Sequence, residues 1–147
     1  MNTAFRPHGK FSTHVEGQLM VSEVTGPWNK ELVQYWGRAC YPEAKRLSEA
    51  GPYVGIALIR ESMLCPPDAM ETLRHIVHLS ATRLRCIAHV IVADASVDGR
   101  NFLEPVFARV YEGLVEHAIF YDMDAARAWS LALLRDYNSK PEAPRGE

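Results

Sequence analysis

The sequence contains few cysteines and no long apolar run. Its three cysteines, Cys40, Cys65 and Cys86, are odd in number and show no C-x-x-C spacing, which argues against both a disulfide framework and a zinc site. No apolar stretch approaches the roughly 20 residues that a membrane helix needs. Residues 1–10 contain no apolar segment of the kind found in signal peptides. We therefore expect a cytoplasmic protein without a membrane span.

The sequence also lacks a strong excess of charge. Sixteen Lys and Arg residues oppose 18 Asp and Glu residues, which gives a formal net charge of −2. The chain therefore has no overall positive potential that would attract nucleic acid. Its basic residues are also not interleaved with aromatic ones. The length of 147 residues, with 48% hydrophobic and 23% charged residues, is typical of one globular domain.

Two short apolar runs indicate the middle of a sheet. Residues 53–60 are rich in β-branched side chains, begin after Gly51-Pro52 and end at a charged pair. Such a run is typical of a strand that is buried on both faces, and residues 87–93 form a second one. Longer helical patterns lie on either side of each run. The sequence therefore predicts interior strands covered by helices.

The remaining elements complete an α/β pattern. Residues 11–16 and 19–25 are two short strands separated by Gly17-Gln18, which predicts an antiparallel hairpin. Strands then alternate with helices in the order β-β-α-β-α-β-α-β-α, which favours right-handed parallel crossovers. Pro42 predicts a kink or a restart in the first helix. We expect a single domain over residues 11–136, with a mixed sheet, four main helices and flexible segments at residues 1–10 and 137–147.

Two motifs resemble a known family. Gly26-Pro27-Trp28-Asn29 follows the hairpin and precedes a helix and a hydrophobic strand. Near the end of the chain, Ile119-Phe120-Tyr121-Asp122 is followed by Ala125, Ala128 and Trp129. Both features are similar to the SpoIIAA-like, or STAS-type, domains of bacteria, whose closing pattern is F-x-D-x-x-x-A-x-x-W. The resemblance spans roughly residues 11–134 and implies a STAS-type fold with a regulatory or ligand-sensing role rather than catalysis.

The sequence departs from one branch of this family. In the anti-sigma antagonists, a serine at the start of the helix after the central strand is phosphorylated by a kinase. In this chain that helix opens with Pro66-Pro67-Asp68, and the nearest serine is Ser62 in the preceding loop. Ser62 remains a candidate for modification or partner contact, and its alternative role is a local turn hydrogen bond.

Catalytic and metal-binding signals are sparse. The sequence has no G-x-S-x-G elbow, no P-loop and no G-x-G-x-x-G fingerprint. Glu61 and Asp94 follow neighbouring predicted strands, where ligands of α/β sheets tend to bind, so an acid–base enzyme would need both carboxylates in one cleft. His75 and His78 lie three residues apart on a predicted helix, but no cysteine or acidic partner accompanies them. We expect no enzymatic activity, no cofactor and no metal.

Several large apolar side chains have no assured place in the core. Trp28, Tyr35, Trp36 and Tyr41 fall within fourteen residues, and we expect Trp36 to be buried and part of the group to be exposed. Met63 and Leu64 lie in the loop after the central strand. Exposed apolar groups of this kind mark a partner or ligand surface, and a twofold homodimer is the commonest way to cover them. We assign this surface to the following residues: Trp28, Tyr35, Tyr41, Ser62, Met63, Leu64 and Asp94.

Two hypotheses about function follow. The first is a non-enzymatic regulatory module of STAS type that binds a protein partner. The second is a carrier or sensor of a small apolar, lipid-like ligand, because STAS-type domains resemble lipid-carrier folds and the first helix is rich in aromatic residues. A closed apolar cavity between that helix and the sheet favours the ligand, whereas a flat exposed apolar face favours the partner.

Overall fold

The computed structural model describes residues 7–139, which form one mixed α/β domain. Within this range the elements are β1 (Lys10–Glu16), β2 (Leu19–Thr25), α1 (Lys30–Ala50), β3 (Tyr53–Arg60), α2 (Pro67–Arg83), β4 (Cys86–Val92), α3 (Arg100–Tyr111), β5 (Glu116–Phe120) and α4 (Met123–Ser139). The predicted element order and fold class are confirmed. In the same range, no helix combines the length and the apolar character that crossing a bilayer requires.

The order of the strands decides where the helices lie. The sheet runs β1-β2-β3-β4-β5, with β1 antiparallel to β2 and every later pair parallel. The three crossovers all step in one direction, so right-handed connections place α1, α2 and α3 on the same face. The side chains agree, since Leu32, Leu73 and Phe107 of these helices share one core cluster. Helix α4 packs on the opposite face through Ala126 and Leu134.

The central strands are buried as the sequence predicts. Strands β3 and β4 each have a neighbour on both sides, and Val54, Ile56, Ala88 and Val90 are almost completely buried. These four side chains point toward α4, whereas the residues between them point toward α1, α2 and α3. The alternation means that the residues at positions 55, 57, 89 and 91 belong to the three-helix face.

Helix α1 is one continuous element despite Pro42. Its first turn is capped by Asn29, whose Oδ1 accepts hydrogen bonds from the backbone N–H groups of Leu32 at 3.0 Å and His8 at 2.8 Å. The predicted restart at Pro42 is wrong. Pro42 lies on the exposed side of the helix, where water can solvate the carbonyl that loses its N–H partner, and Cys40 and Ala44 on the buried side keep their packing.

The predicted ends of the domain are each shifted slightly. Lys10 already belongs to β1, and residues 137–139 continue α4, because nothing before Pro141 interrupts that helix. The start of α4 is capped as expected, since Oδ1 of Asp122 accepts a hydrogen bond from the backbone N–H of Ala125 at 2.8 Å. Of the predicted flexible segments, residues 1–6 and 140–147 lie outside the described residues.

Substitution of Gly26 tests the junction between β2 and α1. The backbone N–H of Gly26 donates to the carbonyl of Arg60 at 3.1 Å, and a Cβ added at Gly26 would lie 2.0 Å from the carbonyl oxygen of Ser62. Because two backbone segments would have to separate, we expect Gly26→Ala to lower the free energy of unfolding by about 3 kcal/mol in urea titrations.

Gly17→Ala is the matched control for this substitution. A Cβ at Gly17 meets no atom within 4 Å, and only its positive φ of 58° opposes a side chain. We expect a loss of about 1 kcal/mol there. Equal losses for the two variants would contradict the close approach at Gly26.

Candidate functional site

An interior cavity lies between the central strands and helices α1, α2 and α3. This inner cavity measures about 50 Å³, which leaves room for about three or four water molecules. Its walls are mostly apolar and include Trp28, Trp36, Ala57 and Tyr111, with His89 as a polar member. The inner cavity is thus a mostly apolar space between the first helix and the sheet, which is where the ligand hypothesis expects a binding site.

The inner cavity exists because two small residues occupy the middle of β3. Gly55 and Ala57 face the three helices, where a branched side chain would fill the space. Gly55 is the direct partner of His89 on β4. A Cβ added at Gly55 would lie 3.3 Å from Cε1 of His89, so the imidazole ring occupies the place that a side chain at position 55 would take.

His89 is a buried imidazole with an unsatisfied nitrogen. Its ring stacks on Tyr111 of α3, with 5.4 Å between ring centroids and 15° between ring planes. Within residues 7–139, Nε2 of His89 has no hydrogen-bond partner. Burial lowers the pKa of His89 from 6.5 to about 4, so the ring is neutral at pH 7. A buried polar atom without a partner is costly, which points to a partner from outside the chain.

A second unsatisfied nitrogen belongs to another wall of the inner cavity. Among the described residues, Nε1 of Trp28 also lacks a hydrogen-bond partner. The Trp28 ring packs edge-on against Phe107, at 5.6 Å between centroids, and Phe107 precedes Tyr111 by about one helical turn on α3. Trp28 and His89 therefore contact neighbouring turns of the same helix.

The polar groups on the β1 side of the cavity are satisfied by one another. Nε1 of Trp36 donates to Oγ of Ser22 at 2.9 Å, and Ser22 is hydrogen-bonded to Thr13 across the hairpin at 3.0 Å. Thr13 in turn lies 3.3 Å from Sγ of Cys40. Among the described residues that line the inner cavity, the buried polar atoms without a hydrogen-bond partner are thus Nε1 of Trp28 and Nε2 of His89.

A wider groove opens beside the inner cavity. This α1–α2 groove has a volume of about 500 Å³, is lined by residues between 34 and 44 of α1 and between 72 and 83 of α2, and is open to solvent. Met20, Trp36 and His89 line both the groove and the inner cavity, so the two spaces lie next to each other. A volume of this size falls within the range typical of small-molecule sites.

The walls of the groove combine an apolar floor with a basic rim. Tyr53 and Leu84 lie at its base, and Ile76 of α2 approaches α1 closely at Gly37, where an added Cβ would lie 2.7 Å from Cδ1 of Ile76. Arg38 of α1 and Arg83 of α2 are exposed at its edge. The groove is therefore amphipathic.

The predicted partner or ligand surface is only partly exposed. Tyr35 and Tyr41 on α1 are 53% and 54% exposed, and Leu64 is 44% exposed. Trp28 and Met63 are 8% and 0% exposed, so the expectation that they contribute to an open surface is wrong. The reason lies in contacts between loops. The backbone N–H of Trp28 donates to the carbonyl of Leu64, and that of Met63 donates to the carbonyl of Asp98, which draws both side chains into the core.

Ser62 is buried as well, which corrects its place on the predicted surface. Its Oγ accepts a hydrogen bond from the backbone N–H of Leu64 at 3.0 Å, and the residue is 5% exposed. This contact confirms the alternative interpretation as a local turn bond. The backbone of Ser62 also forms an isolated β-bridge with Asp98, so this residue joins the two loops through its main chain.

Glu61 and Asp94 lie at the carboxyl ends of neighbouring strands, as predicted. The carboxylate of Asp94 is exposed and accepts hydrogen bonds from the hydroxyl and the backbone N–H of Ser96 in its own loop. These bonds lower the pKa of Asp94. Glu61 adopts a left-handed backbone conformation, with φ of 68°, and its carbonyl accepts a hydrogen bond from Asp98. The Asp94 carboxylate is thus engaged within its own turn.

The side chains of His75 and His78 are both exposed on α2, and His75 lines the α1–α2 groove. In the part of the chain that the structure describes, no group of three or more His, Cys, Asp or Glu side chains is arranged to hold a metal ion.

The homodimer stays a prediction. Of the apolar residues that motivated it, Tyr35, Tyr41 and Leu64 are the ones that are exposed.

Sequence reasoning missed His89 and the groove. The available signal was a histidine in an otherwise apolar strand, but its role depends on lying beside Gly55 in the sheet. That pairing comes from the register of two strands that a whole helix separates in the chain.

No protein-family model, curated protein or solved structure matches this chain. We therefore infer the function from the geometry of the inner cavity and the α1–α2 groove.

The buried neutral state of His89 predicts a loss of stability in acid. The unfolded chain takes up a proton at the ordinary His pKa of 6.5, whereas the folded chain resists it until about pH 4. The unfolded state thus binds more protons between these values, and the free energy of unfolding falls as the pH decreases. We expect a loss of about 2 kcal/mol between pH 7 and pH 5, measured by urea titration.

Two variants isolate the contribution of His89. His89→Phe removes the buried titrating group, so its stability should change much less over this interval. His78→Asn removes an exposed histidine and should keep the wild-type dependence. A dependence that disappears in His78→Asn and persists in His89→Phe would refute the assignment.

Proposed function

We propose that this chain is a non-enzymatic, STAS-type regulatory domain that senses or carries a small, largely apolar ligand. The ligand occupies the inner cavity and extends into the α1–α2 groove. The observation that carries the proposal is the unsatisfied Nε2 of the buried His89, which lines both spaces. A ligand with one hydrogen-bonding group beside an apolar body supplies the missing partner without bringing a charge into the core.

Two further observations support an apolar ligand. The wall residues of the inner cavity are mainly aromatic and aliphatic, and the polar groups on its β1 side already satisfy one another. Exposed large apolar side chains are spread over α1, the loop after β3, α3, the loop after β5 and α4. This spread among the described residues gives less support to one flat apolar partner face.

A protein partner is the second candidate, and the position of Tyr41 favours it. Tyr41 is 54% exposed on α1 and also lines the α1–α2 groove. A partner that docks on this part of α1 would contact the edge of the ligand site. In that case occupancy of the groove regulates partner binding through direct contact at Tyr41.

The acid–base alternative has weaker support. A general acid needs a raised pKa, but hydrogen bonds from Ser96 lower the pKa of Asp94 and keep its carboxylate ionised.

We propose a reducing cytosol as the location of the protein, because all three cysteines are free thiols. The proposed activity needs no cofactor, metal, nucleic acid or membrane span.

Binding of 1-decanol tests the proposal. Trp28 and Trp36 line the inner cavity, whereas Trp129 packs against Phe120 on the opposite face, so tryptophan fluorescence reports on the site. We expect saturable binding to the wild type, with a one-to-one complex in native mass spectrometry. Ala57→Leu, which fills the inner cavity, should weaken the affinity by about tenfold, the effect of about 1.4 kcal/mol.

Ala118→Leu is the control for this variant. Ala118 pairs with Val90 and faces α4, so the added volume lies on the side of the sheet away from the cavity. We expect wild-type affinity there. A wild type that fails to bind decanol, or an Ala57→Leu variant that binds it as tightly as Ala118→Leu does, would overturn the proposed function.

A further inference from the structure

We propose that the ligand is an amphipathic anion with a single alkyl chain, whose carboxylate or phosphate group binds Arg38 and Arg83 at the rim of the α1–α2 groove. The alkyl chain runs along the groove toward His89, and a hydroxyl group on that chain supplies the hydrogen-bond partner that Nε2 of His89 lacks. This inference rests on the proposed function and adds the charge and the orientation of the ligand.

The rim of the groove has a local charge that the whole chain does not share. Arg38 and Arg83 are among its lining residues, and none of the lining residues that the structure describes is acidic. The full sequence nevertheless carries a net charge of −2. Positive charge is therefore concentrated at this opening, which favours an anionic ligand.

Arg38 and Arg83 are available to a ligand because they have no carboxylate partner among residues 7–139. Other arginines in this range are paired, such as Arg60 with Glu23, Arg100 with Glu104 and Arg127 with Glu16. Arg38 of α1 and Arg83 of α2 are both exposed, and both line the α1–α2 groove. A guanidinium group is well suited to hydrogen-bond a carboxylate or a phosphate in its plane.

The inner end of the groove suits an uncharged chain. Tyr53 and Leu84 form part of its floor, and Ile76 and Leu79 form part of the α2 wall. Burial keeps His89 neutral, so the arginines at the rim supply the stronger attraction for an anion. The lining of the groove thus changes from charged side chains at the rim to apolar side chains in the interior. The charged head and the apolar chain of a monoalkyl anion follow the same order.

Matched ten-carbon probes test this inference. Decanoate and decyl phosphate carry the proposed anionic groups, 1-decanol is neutral, and decyltrimethylammonium is cationic. We expect the two anions to bind the wild type more tightly than decanol and the cation to bind most weakly, by tryptophan fluorescence below the aggregation concentration of each probe. The affinity for the anions should fall as the salt concentration rises.

The double variant Arg38→Gln, Arg83→Gln should bind decanoate about tenfold more weakly and bind decanol as the wild type does. Arg135→Gln removes an exposed cation from α4, on the other face of the sheet, and should leave both affinities unchanged. Equal affinity of the wild type for decanoate and decanol, or an unaffected double variant, would overturn the charge assignment and leave the proposed function standing. Failure of decanol itself to bind would overturn the proposed function.

A vesicle experiment distinguishes a free amphiphile from a lipid surface. The wild type is mixed with phosphatidylglycerol vesicles and floated on a density gradient, with and without decanoate. Absence of flotation, or flotation that decanoate displaces, supports a free monoalkyl anion in the groove. Flotation that depends on Arg38 and Arg83, in a protein that binds no free decanoate, would overturn the proposal in favour of a membrane surface.

Discussion

The pairing of Gly55 with His89 on the two central strands is the constraint on which the site depends. Parallel register places the two residues side by side on the face of the sheet that three helices cover. Without a side chain at position 55, the imidazole can lie over the backbone of β3 and stack on Tyr111. Ala57, two residues along the same strand, leaves space beside the ring, so a buried unsatisfied nitrogen and an apolar space lie next to each other.

The topology of the sheet makes this gap possible. Three right-handed crossovers that step in one direction place α1, α2 and α3 side by side on one face, whereas α4 alone packs on the other. The close contact between Gly37 and Ile76 joins α1 to α2, and the α1–α2 groove accompanies this contact. His89 lies among the residues that line this groove.

The sequence was sufficient for the fold because local patterns determine its elements. The β-branched runs at residues 53–60 and 87–93, the Gly17 turn and the Asn29 cap each depend on neighbouring residues. The candidate site depends on contacts between distant segments, which local patterns do not encode. Trp28 is buried because its backbone bonds to Leu64, and His89 matters because it lies beside Gly55. Exposure on α1 was partly predictable, since Tyr35 and Tyr41 lie off the apolar stripe.

The central claim is that His89 is a neutral, buried group whose Nε2 meets a ligand. Nitrogen-15 NMR of the imidazole side chain, with and without saturating 1-decanol, tests this claim most directly. The account predicts a neutral ring at pH 7 that takes up a proton only near pH 4, and an Nε2 resonance that shifts when decanol binds. A ring that titrates near pH 6.5, or an Nε2 resonance that decanol leaves unchanged while it binds, would contradict it.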